Sequence, residues 1–254
     1  MSKTSETAAT ADEPEDLKAR LKASYDAIAP AYNAWTVKHI SVRLQYLKEI
    51  TDRLRPAKTD PSKSPMASHP LRVLELGCGA GVPVTERLLL DLAPVHITAN
   101  DLSTGQLDLA RVALGEHGEK VLTGSEVSMV DWVEGDMMEL DFPDASLDAV
   151  LGFYSIIHLP QEEQRSLLER IARWLKPGTG LLLANFADSE TKGTVIKTWL
   201  GQEKGWMFWS GLGVTTTEAA VEGAGLKLEI SKLEKDAVDS VMFHWVIARR
   251  PAIE

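Results

Sequence analysis

Apolar positions along the chain alternate between short unbroken runs and stretches with three- and four-residue spacing, which predicts strands alternating with helices. The runs fall at 73–76, 95–99 (VHITA), 128–133 (SMVDWV), 147–152 (LDAVLG), 180–186 (GLLLANF), 226–232 (LKLEISK) and 241–248 (VMFHWVIA), seven strands in all. Helical spacing falls between them at 82–91, 103–115, 161–175, 191–203 and 215–224. The helix at 161–175 has the most complete signals. Pro160 and Gln161 open it, Leu167, Leu168, Ile171, Trp174 and Leu175 form its apolar face, and Pro177 with Gly178 end it. Strict alternation predicts that the first five strands are parallel, with right-handed crossovers. No helical pattern separates the last two, so an antiparallel pair is expected there.

Two further helices are predicted ahead of the first strand, at 15–29 and 34–55. The second carries Val37, Ile40, Leu44, Leu47, Ile50 and Leu54 on one face until Pro56 stops it. Together they form a helical N-terminal cap over 15–55. The stretch 56–70, PAKTDPSKSPMASHP, reads as an exposed linker to a domain over 71–254. Residues 1–14 lack an apolar core and carry acids, which predicts a disordered tail rather than a signal peptide.

Composition narrows the class. At 254 residues and 44% hydrophobic content, the chain can bury one large α/β core. Thirty-seven acidic residues against 27 Lys plus Arg give a net charge of −10, which opposes binding to nucleic acid or an anionic membrane and favours a small or neutral partner. The single cysteine, Cys78, excludes an intramolecular disulfide framework and fits a reducing, cytoplasmic setting. With no basic neighbour in sequence to lower its pKa, Cys78 reads as a packing residue. No apolar run approaches the roughly 20 residues of a membrane span, and no metal ion is expected.

The candidate chemistry starts at VLELGCGAG, Val73 to Gly81. A buried strand there runs into a turn whose glycines let backbone approach a ligand closely. The dinucleotide fingerprint needs a small residue at the sixth position from Gly77, where this chain has Val82, and no Lys-Ser or Lys-Thr pair follows to bind a triphosphate. In a sheet of this kind ligands sit beyond the carboxyl ends of the strands. Asn100 and Asp101 follow the second strand, Gly135, Asp136 and Met137 the third, and Phe153, Tyr154 and Ser155 the fourth. Asp101 lies about 20 residues past the turn, where an acid can accept from both ribose hydroxyls. It also fits a helix N-cap, as Ser103 does. Asp136 fits either a turn or an adenine contact beside Met137.

In that order, VLELGCGAG, ITANDLSTGQLDLAR, VEGDMMELDFPDASLDAVLGFYSIIHL and LLERIARWLKPGTGLLLANF resemble the successive motifs of class I S-adenosylmethionine-dependent methyltransferases. The segment YDAIAPAYNAW, Tyr25 to Trp35, is similar to the opening of many small-molecule members, including the ubiquinone and menaquinone methyltransferases. The resemblance implies a Rossmann-like fold with a mostly parallel seven-stranded sheet and an antiparallel last strand. It also implies S-adenosylmethionine as cofactor and S-adenosylhomocysteine as product. Glu75, Gly77, Cys78, Gly79 and Gly81 would surround the methionine moiety and Asp101 would take the ribose. Leu102, Asp136 and Met137 would hold the adenine, and Phe153 would border the substrate side. Tyr25, Tyr32 and Trp35 would close over the site. Aromatic faces near a sulfonium would stabilise it by about 0.5 to 2 kcal/mol.

Methyl transfer needs a base only if the nucleophile must lose a proton. His158, in FYSIIHLP, is the first candidate; it also fits a helix start. His244 lies in the last strand on the face opposite Phe243 and Trp245. The segment 198–213, TWLGQEKGWMFWSGLG, concentrates Trp199, Trp206, Phe208 and Trp209 among glycines and reads as a lid over an apolar or planar acceptor, or as packing at the core edge. Acceptor contacts are thus expected at Trp35, Tyr154, His158, Trp206, Trp209 and His244. The amino-methylase signature NPPY is absent. The same fold could also serve a cofactor-assisted reaction without methyl transfer, or a cofactor-sensing protein with a protein partner.

Overall fold

A computed structural model describes residues 9–10, 13–55, 69–115, 120–121, 127–236 and 241–253. Its elements run β1 (Ala9–Thr10), α1 (Leu17–Thr36), α2 (Ile40–Leu54), β2 (Leu71–Leu76), α3 (Val84–Asp91), β3 (Val95–Asp101), α4 (Thr104–Leu114), β4 (Lys120–Val121), β5 (Val127–Glu134) and β6 (Ala149–Gly152). They continue with α5 (Gln161–Trp174), β7 (Leu181–Ala187), β8 (Glu190–Ile196), β9 (Met207–Leu212), α6 (Val214–Gly223), β10 (Lys227–Lys235) and β11 (Met242–Arg249). Most of the expected tail 1–14 and of the expected linker 56–70 lies outside the described residues. Within the tail, Ala9 and Thr10 pair with Val195 and Thr194 of β8.

The main sheet has the order β10-β11-β7-β6-β2-β3-β5-β4. The pairs joining β7, β6, β2, β3 and β5 are parallel, while β11 runs antiparallel between β7 and β10. All seven expected strands are present, and two-residue β4 extends one edge. Because β2 is flanked by β3 on one side and β6 on the other, the strand order reverses at β2. A crevice opens there at the carboxyl ends.

Alternation along each strand splits the core into two layers. Val73, Ile97, Leu181 and Leu183 face α2, α3 and α4, packing on Leu47, Ile50, Leu88, Leu89 and Leu107. Leu74, Val150, Leu182, Ala184 and Phe186 face α5 and α6, packing on Leu167, Leu168, Ile171, Trp174 and Val221. Tyr46 of α2 stacks on Trp245 of β11 with centroids 4.3 Å apart, so α2 belongs to the sheet layer.

Helix α1 does not stop at residue 29 as expected but continues through Pro30 to Thr36, with the break at a 3-10 turn over Val37–His39. Proline there removes only the N–H that would bond the carbonyl of Asp26. Tertiary contacts hold the helix across this gap, since the Asp26 carboxylate accepts from the Gly105 N–H (2.9 Å) and the Ser103 hydroxyl (2.7 Å) at the start of α4.

The expected helix at 191–203 is not formed. Residues Glu190–Ile196 are strand β8, paired antiparallel with β9, and a 3-10 turn covers Trp199–Gly201. The β-branched residues Thr191, Thr194, Val195 and Ile196 favour the strand. β8 and β9 with β1 make a small second sheet. Val195 and Ile196 of β8, Met207 and Phe208 of β9 and Trp199 of the turn between them form one apolar cluster with Leu17, Leu21 and Ile28 of α1. Thus α1 and the small sheet together cover the crevice. No helix among the described residues is long and apolar enough to cross a membrane.

Candidate active site

The crevice holds two adjoining cavities. The first lies over the β2–α3 turn and is lined by Lys18, Leu21, Tyr25 and Tyr32 of α1, Gly77 and Gly79, and Asn100, Asp101 and Leu102. Gln106, Gly135, Asp136, Met137, Phe153, Tyr154, Ser155, His158 and Leu159 complete its wall. Gly77 has φ +67°, and a Cβ there would stand 2.4 Å from Cβ of Ser155, so only glycine fits. Gly81 does not reach the cavity. A Cβ on it would meet Leu114 at 3.0 Å and Trp132 at 3.2 Å, so its part is to let α4 and β5 close on the turn.

Glu75 and Cys78 also lie behind the turn rather than in the cavity. The Glu75 carboxyl accepts from the Thr85 hydroxyl at 2.6 Å, and burial pushes it up to about 8. Burial likewise pushes the Cys78 thiol up, consistent with packing and not nucleophilic duty. These three expected contacts therefore shape the cradle from outside it.

The remaining residues expected in the cradle line the first cavity. Asp101 accepts from the Gly79 N–H (2.8 Å) and the Ser103 N–H (2.9 Å), and burial raises it to about 6. Ser103, not Asp101, caps α4 by accepting from the Gln106 N–H. Asp136 fills both roles weighed for it. One oxygen accepts from the Met138 N–H at 3.0 Å to cap a 3-10 turn, and the side chain faces the cavity while pairing with Lys18 of α1 at 3.0 Å. Gln106, with neither amide atom bonded, and Ser155, with its hydroxyl unbonded, are buried at the cavity wall. Sequence reasoning missed Gln106, because Ser103-x-x-Gln106 matches the capping-box pattern and the side chain could equally have turned back on its own helix.

The second cavity, of about 370 Å³, is walled by Tyr25, Tyr32, Trp35, Tyr154, Ile157, His158, Trp199, Trp209, Met242 and Phe243, with His39, Arg43, Asp188 and Asp236 as charged or titratable members. Tyr25, Tyr32, Tyr154 and His158 line both cavities. Of the residues expected to contact an acceptor, Trp35, Tyr154, His158 and Trp209 line this cavity.

Two expected contacts do not. Trp206, which precedes β9, lies outside both cavities with its ring 4.2 Å from the Arg20 guanidinium of α1. His244 has the expected strand parity, but its face is the α6 side. It is fully buried, hydrogen-bonded to Ser231 at 2.7 Å, and burial lowers its pKa.

His158 has both ring nitrogens engaged. Nδ1 lies 2.7 Å from the Phe208 carbonyl, which can only accept, so Nδ1 carries the proton and Nε2 accepts from the Tyr25 hydroxyl at 2.8 Å. Burial lowers His158 to about 4, so the imidazole is neutral at pH 7.

Residues 73–178 match the family described as a methyltransferase domain. Over these residues the chain carries a methyltransferase domain. An O-methyltransferase of Aspergillus nomiae, rstn1, is 30% identical over 114 residues, which is 45% of this chain and 46% of that protein. The sterol 24-C-methyltransferase erg-4 of Neurospora crassa is 28% identical over 184 residues, 70% of this chain and 45% of that one. The chain therefore spans less than half the length of these curated relatives. A Burkholderia thailandensis 1,6-didemethyltoxoflavin-N1-methyltransferase, solved with 1,6-didemethyltoxoflavin and S-adenosylhomocysteine bound, matches with a TM-score of 0.66. That match has 17% identity and covers 98% of this chain and 96% of that one. At that identity the likeness is one of fold, the Rossmann-like methyltransferase fold with an antiparallel last strand.

The cofactor of such a domain is S-adenosylmethionine, and the first cavity fits it. The unbonded Gln106 amide and Ser155 hydroxyl offer partners to an amino-acid moiety, and Asp101 has lone pairs left for hydroxyl donors. Met137 and Leu102 supply apolar surface for a base. The one lysine in the wall, Lys18, is paired with Asp136 and Glu163, so nothing in the wall is set up for a phosphate.

Proposed function

We propose that this chain transfers the methyl group of S-adenosylmethionine to a small-molecule acceptor seated in the second cavity. The observation that carries this reading is the shared wall: four side chains, Tyr25, Tyr32, Tyr154 and His158, belong to both cavities, so two ligands would meet there. When bound, the cofactor supplies an electrophilic methyl on a sulfonium with its own leaving group. The chain's residues bind, align and exclude water around the two reactants, a contribution of up to about 7 to 11 kcal/mol in favourable cases.

His158 acts in this reading as a positioning residue. Its Nε2 lone pair is taken by Tyr25, and its low pKa makes it a weak base, so its contribution is to fix the Tyr25 hydroxyl at the junction of the cavities. A proton leaving the acceptor would reach Nε2 only through the Tyr25 oxygen. By name the relatives include O- and C-methyltransferases, and oxygen, nitrogen, sulfur and carbon nucleophiles are all compatible with the aromatic wall. The net charge of −10 supports a small molecule over nucleic acid as partner, and the lone, buried Cys78 supports a cytoplasmic setting.

The test is calorimetric binding of S-adenosylhomocysteine to the full chain and to Asp101→Ala, with circular dichroism to check the fold, followed by a labelled-methyl screen of small acceptors. Tight binding by the wild type, weakened at least tenfold in the variant, and label transfer to one acceptor class are expected. Binding of NADH in place of S-adenosylhomocysteine would overturn the reading.

A further inference from the structure

We infer that the second cavity selects an acceptor with a planar apolar body bearing an anionic oxygen, and that Arg43 receives that oxygen. The inference rests on the methyltransferase reading and names its substrate class.

Arg43 of α2 is only 9% exposed and lines the cavity. Its guanidinium lies over the Tyr154 ring, 5.0 Å from the centroid. Among the described residues its Nε has no hydrogen-bond acceptor and no carboxylate oxygen comes within 4.0 Å of it. Five other arginines have partners of their own. Arg53, Arg87 and Arg249 pair with carboxylates, and Arg170 and Arg250 donate to carbonyls.

A guanidinium stays charged at any working pH, and a buried charge without a counter-charge is costly. Cation–π contact with Tyr154 offsets part of that cost on one face and leaves the in-plane N–H donors unspent. None of the described acids around the cavity makes a hydrogen bond or ion pair with Arg43. Asp236, on the same wall, bonds His39 at 2.7 Å, Glu75 bonds Thr85 behind the glycine turn, and Asp188 stands exposed. Among the described residues no side chain supplies the missing acceptor, and a ligand carrying one would.

The rest of the cavity defines the body of that partner. Trp199 packs against Tyr32, Trp35 and Trp209 with centroids 5.4, 5.5 and 5.7 Å apart, giving flat apolar walls beside the guanidinium. A volume of about 370 Å³ suits a fused two-ring skeleton. The anionic oxygen has two chemical sources, a carboxylate or an ionised hydroxyl, and both would form charge-assisted hydrogen bonds with Arg43.

Three naphthalene probes test this on the full chain at pH 7.5 by calorimetry: 2-naphthoate, its neutral isostere 2-naphthamide, and 2-naphthol. Naphthoate is expected to bind about tenfold or more tighter than naphthamide if the source is a carboxylate. Growth of the naphtholate absorption band on binding 2-naphthol identifies the ionised hydroxyl instead. In Arg43→Met either preference disappears while naphthamide affinity stays, and Arg43→Lys keeps part of it. Equal binding of acid and amide without a naphtholate band, a preference that survives Arg43→Met, or no binding of any probe overturns the inference. If Arg43→Met fails to fold, the wild-type comparison and Arg43→Lys still decide. S-adenosylhomocysteine is titrated in parallel. Its binding without any anion preference sinks this inference alone, whereas its failure to bind sinks the methyltransferase reading.

Discussion

The Tyr25 hydroxyl donates to Nε2 of His158 at 2.8 Å, tying α1 to the loop after β6 across 133 positions of sequence. Tyr25→Phe removes the donor and leaves a half-buried imidazole nitrogen unbonded, a cost of about 1 to 3 kcal/mol. The melting temperature should fall, and amide hydrogen exchange over 17–36 should speed up relative to the sheet. Unaltered exchange in α1 would show that the bond does not hold the helix down.

His158 also predicts a pH dependence. Burial lowers its pKa from 6.5 to about 4, so between those values the unfolded chain binds a proton that the folded chain refuses. Stability from this group is therefore present above about pH 6.5 and lost as pH falls toward 4, by at most about 3 kcal/mol. Denaturant titrations of wild type and His158→Gln should differ in slope across that window; parallel curves would contradict the assignment.

Glu75 works with the opposite sign. Burial raises it from 4.5 to about 8, so the folded state holds a proton that the unfolded state has released over that range. Its contribution is present below about pH 4.5 and drains away as pH rises toward 8. Glu75→Gln, which keeps a partner for the Thr85 hydroxyl, should remove this decline and make the chain more stable than wild type at pH 8. A variant less stable than wild type at that pH would mean that the carboxylate is ionised and needed.

Trp209 lies between Trp199 and His158 in the second cavity, with centroids 5.7 and 6.2 Å away, and is absent from the first cavity. Trp209→Ala should raise the acceptor KM by about tenfold or more, as expected for loss of a buried aromatic contact. S-adenosylhomocysteine affinity should stay near that of wild type. Equal loss of both would place Trp209 in the shared support of the two cavities.

The main sheet was legible because buried parallel strands are written as apolar runs, and Gly77 and Asp101 because strand ends are where such a sheet binds ligands. The strand β8 was not, since Val195, Ile196, Trp199 and Leu200 fit helical spacing as well as strand alternation and only pairing with β9 decides between them. Side-chain direction was the other missing quantity. Gln106 could have served its own helix, Trp206 ahead of β9 meets Arg20 while Trp209 within it lines the second cavity, and Arg43 sits on a helix whose polar positions look solvent-facing until α2 is laid against β11. His244 shows the limit of parity, which gives the face relative to a neighbour but not which layer that face meets.

Helix α1 contributes Lys18, Leu21, Tyr25 and Tyr32 to the wall of the first cavity and Tyr25, Tyr32 and Trp35 to that of the second. Tyr25 and Tyr32 thus join the two ligand spaces through one helix that lies wholly upstream of residues 73–178, so a change in that helix would be felt in both spaces at once, and two chains alike over residues 73–178 could differ in both ligands through that helix alone.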